Sequence, residues 1–415
     1  MSDPAVGFEP DDALGAWLRA HRDDLVDYLR ELVRIPSDNP PGDCSAIATR
    51  VEDEFRRFGL DVERHDVPRE TGPPAPTVLG WLGPRTSTPS LALNAHADVI
   101  PPGEGWSVDP YGGVVVDGRV IGRGAAVSKS DVAAYTYALA ALRETFGVPD
   151  SPTVVAAITN DEETGGRLGP GWLISDYGLR PDAVICAGFT HGVVTAHNGC
   201  LQGTIMVTGR SAHAAMPWNG VDAIRLAEAV LARLYDADTE LARRSSDIAG
   251  IERPTLVATR ISGGGPQGVT AGTVEISIDR RILPADSTED ALDHLERLVQ
   301  SVARETGGEI VFEPTLIVQP LRPSDGQDEL VRALQVEGAP IVGHELEPHG
   351  LPIFTDARWF SVAGIPTVLY GAGPRDPAEA RGHAADENVQ IDDLIRATEV
   401  VARAVRRLLT SKGGA

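Results

Sequence analysis

Three cysteines in 415 residues, Cys44, Cys186 and Cys200, are too few and too scattered for a disulfide framework or a zinc ribbon. No apolar run approaches the roughly 18 residues of a membrane span. The acidic, polar N-terminus has neither the basic nor the apolar region of a signal peptide, so a cytoplasmic location is expected. Basic charge is also short: 37 Lys and Arg stand against 60 Asp and Glu, a net charge of −23. That balance argues against nucleic acid or an anionic membrane as a partner. Internal repeats and low-complexity tracts are missing, and "VPRETGPPAPT" is a Pro-rich surface loop at most.

What is present is ordinary for a globular chain, 42% hydrophobic and 23% charged. The length exceeds what one core supports, so two or three folding units are expected. Apolar residues recur at helical spacing from Leu14 to Ile35, and Pro36 follows. "LALNAHADV" (91–99), "SPTVVAAITNDEE" (151–163) and "PDAVICAGF" (181–189) read as buried strands, with a buried helix at 131–147 closed by Gly147. This alternation predicts an α/β fold with a mostly parallel sheet and helices on both faces. Between 201 and 315 the rhythm changes to four strands and two helices, an α+β unit inserted into the first. The expected division is therefore 1–200 with 316–415 as the catalytic-type domain, and 201–315 as an inserted lid or dimerisation domain.

Several short stretches carry chemistry. In "NAHADV", His96 and Asp98 are two apart at the end of a strand and can point to one side, with Asp98 as hydrogen-bond acceptor for a metal-binding imidazole. In "ITNDEETGG", Glu162 and Glu163 reach one site only if the strand has already ended, which the glycines allow. One could then act as general base and the other as a metal ligand. His383 lies in a glycine-rich loop and His213 at the end of the insertion's first strand. Singly, each of these is as readily a surface group.

In order, they form a series: H-x-D, GRGA, DEE-x-GG, G-x-SAHA, TDAR, and GxG…H-x-x-x-E. The series resembles the M20 metallopeptidase family of carboxypeptidase, aminoacylase and succinyl-diaminopimelate desuccinylase types, from about residue 20 to the C-terminus. The resemblance implies hydrolysis of an amide bond near a carboxylate at two zinc ions joined by a bridging Asp. It would make His96 a ligand of one metal, Asp98 its supporting partner, Glu162 the general base, and Glu163 and His383 ligands of the other metal. His213 would act across a homodimer as a donor to the scissile carbonyl, and Arg358 in "TDAR", or Arg281, would grip a small substrate's carboxylate.

Two positions depart from the family pattern. Val127 stands where the bridging Asp is expected, and Gly188 where a further acidic ligand is expected; the lid-turn Asn is replaced within "GGGPQGVT". Two divalent cations about 3.5–4 Å apart repel by roughly 18 kcal/mol at an effective dielectric of 20, and a Val side chain offsets none of it. Asp131, four residues past Val127, would lie one helical turn and about 6 Å away. It and His191, three past Gly188, are distant substitutes for the missing ligands. Ser128 or Ser130 is expected to cap the helix. The expectation is at most one tightly bound zinc or other divalent metal per chain, or none. Three readings stay open: an amidohydrolase with an altered, metal-depleted site, an enzyme of the same fold running metal-independent acid–base chemistry, and a non-catalytic dimeric binder of a carboxylated ligand.

Overall fold

The computed structural model describes residues 12–374 and 376–412, and the chain divides into two compact units. The larger is built from residues up to Thr195, from Pro323–Pro348 and from Trp359 onward; the smaller comprises Ala196–Arg322 and His349–Arg358. The smaller unit thus extends past 201–315 on both sides and takes in a separate second stretch.

In the larger unit the sheet order is Asp61–Val67, Ala75–Leu82, Val154–Thr159, Leu91–His96, Val184–Cys186, Thr367–Leu369, Val194–His197. The strands from Val154–Thr159 to Thr367–Leu369 are parallel neighbours, and antiparallel pairs flank them on both sides. Every residue of Leu91–His96 and Val154–Thr159 is buried, as continuous apolar runs in a two-faced parallel sheet require. Helix Lys129–Phe146 is buried along most of its length and packs against the C-terminal helix Ile391–Lys412; Gly147 closes it at φ +81. The apolar spacing from Leu14 to Ile35 forms two helices rather than one, Ala13–Ala20 and Arg22–Arg34. They break at His21, whose ring Nδ1 lies 2.8 Å from Trp17 O. Leu14, Leu18, Leu25, Leu29 and Leu32 still enter one core, so the periodicity reported the buried face and not its continuity. A small antiparallel sheet of Val114–Val116, Arg119–Ile121 and Asn388–Gln390 ties the "GRGA" turn to the segment after His383.

The smaller unit is an antiparallel sheet in the order Thr255–Gly263, Thr273–Ile282, Gly199–Thr208, Glu309–Val318, with helices Ala223–Leu241 and Thr288–Thr306. Asp222 and Ser287 cap those helices by accepting from Ile224 N and Asp290 N. Strand alternation sends Ile205, Val207, Ile276 and Ile278 into its core, while Val257, Ile261 and Val311 remain exposed. No described helix is long and apolar enough to cross a membrane.

Candidate metal centre

The site begins at the carboxyl ends of the central parallel strands, where α/β sheets place ligands. His96 is the last residue of its strand and is buried. Its Nδ1 lies 3.0 Å from Asp98 O and 3.5 Å from Asp98 Oδ1. Both are acceptors, so Nδ1 donates, which leaves Nε2 as the ring atom that would face a metal. Asp98 also accepts from Asn39 Nδ2 at 2.9 Å and from the amides of Glu162 and Glu163 at 3.3 and 3.2 Å. Those bonds hold the acidic segment after its strand has ended at Thr159, in a 3-10 turn Glu162–Thr164 closed by Gly165 at φ +103. The turn allows two adjacent glutamates to reach one place. Ligand atoms of His96, Glu162 and Glu163 lie within 4.8 Å of one another, with His96 Nε2 3.9 Å from Glu162 Oε2.

His383 joins from the other side, its Nε2 3.3 Å from Glu163 Oε1. Its backbone sits in the left-handed region at φ +64, a conformation that costs a non-glycine residue energy and tends to mark functional positions. Glu163 Oε1 is buried yet lacks a well-formed hydrogen bond.

Electrostatics follow from this crowding. Burial drives Glu162 up to about 7; His96 pulls it down, and Glu163 and Asp98 push it further up. Burial pushes His96 down, but the carboxylates of Glu162, Asp98 and Glu163 outweigh it and hold the imidazole well above its usual value. The Glu163 carboxylate raises His383 as well. Glu162 and the two imidazoles thus favour their protonated forms in this strongly negative setting. The donors are imidazole nitrogens and carboxylate oxygens, the set that suits zinc and similar divalent ions. Together with the under-bonded Glu163 Oε1, the residues fit one metal.

Val127 and Gly188 carry no side-chain oxygen for a metal. Val127 lies beside the His383 loop: a Cβ added to Gly382 would stand 3.0 Å from Val127 Cγ2. The turn is pinned by Glu387, whose Oε1 accepts from Ala126 N and Val127 N and whose Oε2 pairs with Arg123 at 2.6 Å, so the apolar Val127 is held in place there. At Gly188 there is no room for any side chain, since a Cβ would stand 2.8 Å from Tyr370 N and 3.0 Å from its Cα.

The two distant substitutes do not fill these gaps. Asp131 Oδ2 accepts from Gly188 N and Phe189 N at 2.9 and 3.0 Å, and Oδ1 accepts from Ala372 N at 2.6 Å. Gly371 makes way for it, because a Cβ there would lie 2.2 Å from Asp131 Oδ1. Asp131 therefore ties two strand-end loops together. His191 places Nδ1 2.9 Å from Gly373 O and its Nε2 toward His344, and it is not part of the His96 group. Nor do the serines cap the helix with their side chains. Ser128 Oγ donates to His96 O at 2.9 Å and Ser130 Oγ to Ala126 O at 2.9 Å. Ser128 thereby latches the strand that carries His96 to the start of the buried helix.

Three candidates lie in the smaller unit. His213 is exposed, and its Nδ1 accepts from Ala215 N at 3.1 Å, which leaves the ring hydrogen on Nε2. Arg358 is buried, with Nη1 3.4 Å from Gln319 Oε1. Arg281 already pairs with Asp279 on its own strand, Nε to Oδ1 at 2.8 Å. Sequence reasoning passed over Asn39 and Glu387. Glu387 had a signal, since it ends the H-x-x-x-E motif that begins at His383; Asn39 lies in the loop after Pro36 and carried none.

A family model described as peptidase family M20/M25/M40 matches residues 92–407. The succinyl-diaminopimelate desuccinylase of Rhodospirillum centenum is 29% identical over 403 residues, 92% of this chain and 97% of that protein. Human carnosine dipeptidase 1 shares the fold at 19% identity and a TM-score of 0.75, over 97% of this chain and 99% of that one. Bacillus subtilis YxeP, described as a dinuclear metal-binding peptidase from the M20 family, does so at 16% identity and a TM-score of 0.65, over 94% and 99%. With the family model covering most of its length, and with the ordered motifs and the inserted antiparallel unit in place, the chain belongs to the M20 peptidase family of amide-bond hydrolases.

Proposed function

We propose that this chain is an M20-type amidohydrolase acting on an N-acyl amino acid or short peptide that bears a carboxylate, with at most one tightly bound divalent metal. One observation carries the reading. His96, Glu162 and Glu163 converge in a buried cluster with His383 against it, while Val127 and Gly188 supply no oxygen. His96, Glu163 and His383 would hold the ion, which supplies a Lewis acid for the substrate carbonyl and its attacking water.

The remaining work falls to the chain's own groups. Glu162, held near neutrality, accepts the proton of the attacking water and delivers it to the departing nitrogen. His213, with its hydrogen on Nε2, donates to the carbonyl oxygen as charge develops there. Arg358, buried in the "TDAR" motif, pairs with the substrate carboxylate, and Arg281 is the second candidate. A homodimer formed through the smaller unit would let His213 serve its partner's site.

Metal analysis after dialysis, followed by a panel of N-acyl amino acids with Glu162→Gln as control, tests the proposal. One equivalent or less and turnover abolished by the substitution are expected. Two equivalents would restore the two-metal centre, and turnover indifferent to Glu162→Gln would remove the hydrolytic assignment.

A further inference from the structure

The stretch "VPRETGPPAPT", between the strands Asp61–Val67 and Ala75–Leu82, is more than a surface loop, because it carries a largely buried cation. The Arg69 side chain is only 12% exposed. Its Nη1 donates to Asn39 Oδ1 at 3.0 Å, and its Nη2 donates to Asn160 O and Asp161 Oδ1, both at 3.2 Å. Gly42 leaves room for it, since a Cβ there would stand 2.4 Å from Arg69 Nη1. Asp161 in turn braces the acidic turn: Oδ1 accepts from Thr164 Oγ1 at 2.7 Å and Oδ2 from Leu168 N at 2.8 Å. Asn39 is fully buried, and its Nδ2 donates to Asp98 Oδ2 at 2.9 Å. A guanidinium only donates and a carboxylate only accepts, so both neighbours demand the same orientation of the Asn39 amide. One arginine thus grips the acceptor that orients His96, through Asn39, and the segment that carries Glu162 and Glu163, through Asp161.

We propose that Arg69 is a positioning residue for the His96 centre, which sets how tightly His96 and Glu163 hold a divalent ion. This rests on the metal reading of that cluster. Arg69 acts at a distance from the ligands: it fixes the Asn39 amide, which fixes Asp98, which fixes the His96 ring. Its second arm holds Asp161, the residue before Glu162, so the histidine and the glutamates are kept in one frame. Partners of this kind behind metal ligands commonly change affinity by about 10–100-fold. The planar fork suits the task because it reaches Asn39 and Asp161 at once, which a single ammonium does not.

Zn²⁺ titration of the full chain against a competing chromophoric chelator tests this, together with the ring NMR signals of His96 in metal-free protein. Arg69→Met should weaken Zn²⁺ binding about tenfold and shift the His96 Nδ1 signal. Arg69→Lys, which still donates to Asn39, should recover part of both. A lysine as poor as methionine would count against the donor role. Lower stability with wild-type Zn²⁺ affinity and an unmoved His96 signal overturns the proposal, since an arginine that merely holds the fold would give that result. If Arg69→Met fails to fold, Asn39→Ala carries the same two measurements while keeping the Arg69–Asp161 pair, and wild-type values for both again overturn it. A wild-type chain that takes up no Zn²⁺ defeats the metal reading itself, and this proposal with it. Zn²⁺ binding that none of the variants alters defeats this proposal alone.

Discussion

At the scale of single residues, Glu162 is the group on which turnover should depend most. Glu162→Gln keeps the shape and removes the base, so kcat should fall by about 10²–10⁴ while metal content holds; a loss under tenfold would point to another base. The sign of the pH dependence follows from its environment. Burial raises Glu162 to about 7 in the metal-free chain, and a bound cation would lower it, so the competent carboxylate accumulates as pH rises and kcat/KM should climb at or below that value and then level off. A rate that falls as pH rises toward neutrality would contradict this. Arg358→Ala should raise KM by the equivalent of about 1.5–3 kcal/mol, the worth of a charge-assisted hydrogen bond, with kcat much less affected; an unchanged KM takes Arg358 out of the site. The convergence of His96, Glu162 and Glu163 was legible in the sequence because their types and spacings are chemical: His-x-Asp at a strand end, two glutamates before paired glycines. Glu387 and Asn39 were less so, since they act by holding backbone and side-chain neighbours rather than by chemistry that a motif announces.

At the scale of elements, the start of the buried helix Lys129–Phe146 does more than its sequence suggests. A serine before a helix reads as a cap, yet Ser128 binds the end of the His96 strand and Asp131 binds two loops. Sequence periodicity sees the helix; it cannot see which neighbouring backbone amides lack an acceptor until the sheet is assembled. Removing Asp131 strands three buried amide groups, each worth about 1–3 kcal/mol when left unsatisfied. Asp131→Ala should therefore lower unfolding free energy by about 3 kcal/mol or more in denaturant titration, and Asp131→Asn by less. A change below about 1 kcal/mol would mean that water takes over the carboxylate's place. The same limit explains the helix break at His21. Apolar spacing records which face is buried, whereas the break depends on a histidine ring set against Trp17 O.

At the scale of the whole molecule, the two-unit plan was legible because the strand-helix rhythm changes near residue 200, whereas the recruitment of His349–Arg358 to the smaller unit was not, since long-range packing leaves no local period. The outer strand Thr255–Gly263 exposes Val257 and Ile261 on an unpaired edge, a feature that single chains usually protect and dimers use. Sedimentation should show a dimer at micromolar concentration, and Ile261→Lys should shift it toward monomer; a wild-type monomer would refute the pairing. The interlock of Asp131 with Gly188 and Gly371 has a consequence for the paths by which such a site can change. Positions 127 and 131 share one segment, and 188 and 371 come from two others, yet no change at one of them completes the family's acidic pattern. An acid placed at 188 meets the Tyr370 backbone, removal of Asp131 strands its amides, and an Asp at 127 still leaves one ion without a private acid. Contacting positions of this kind do not behave additively. If the chain holds one ion as proposed, single substitutions toward the family's acidic pattern should each give a less stable or still incomplete site, and a library of point variants should show no gain in bound metal.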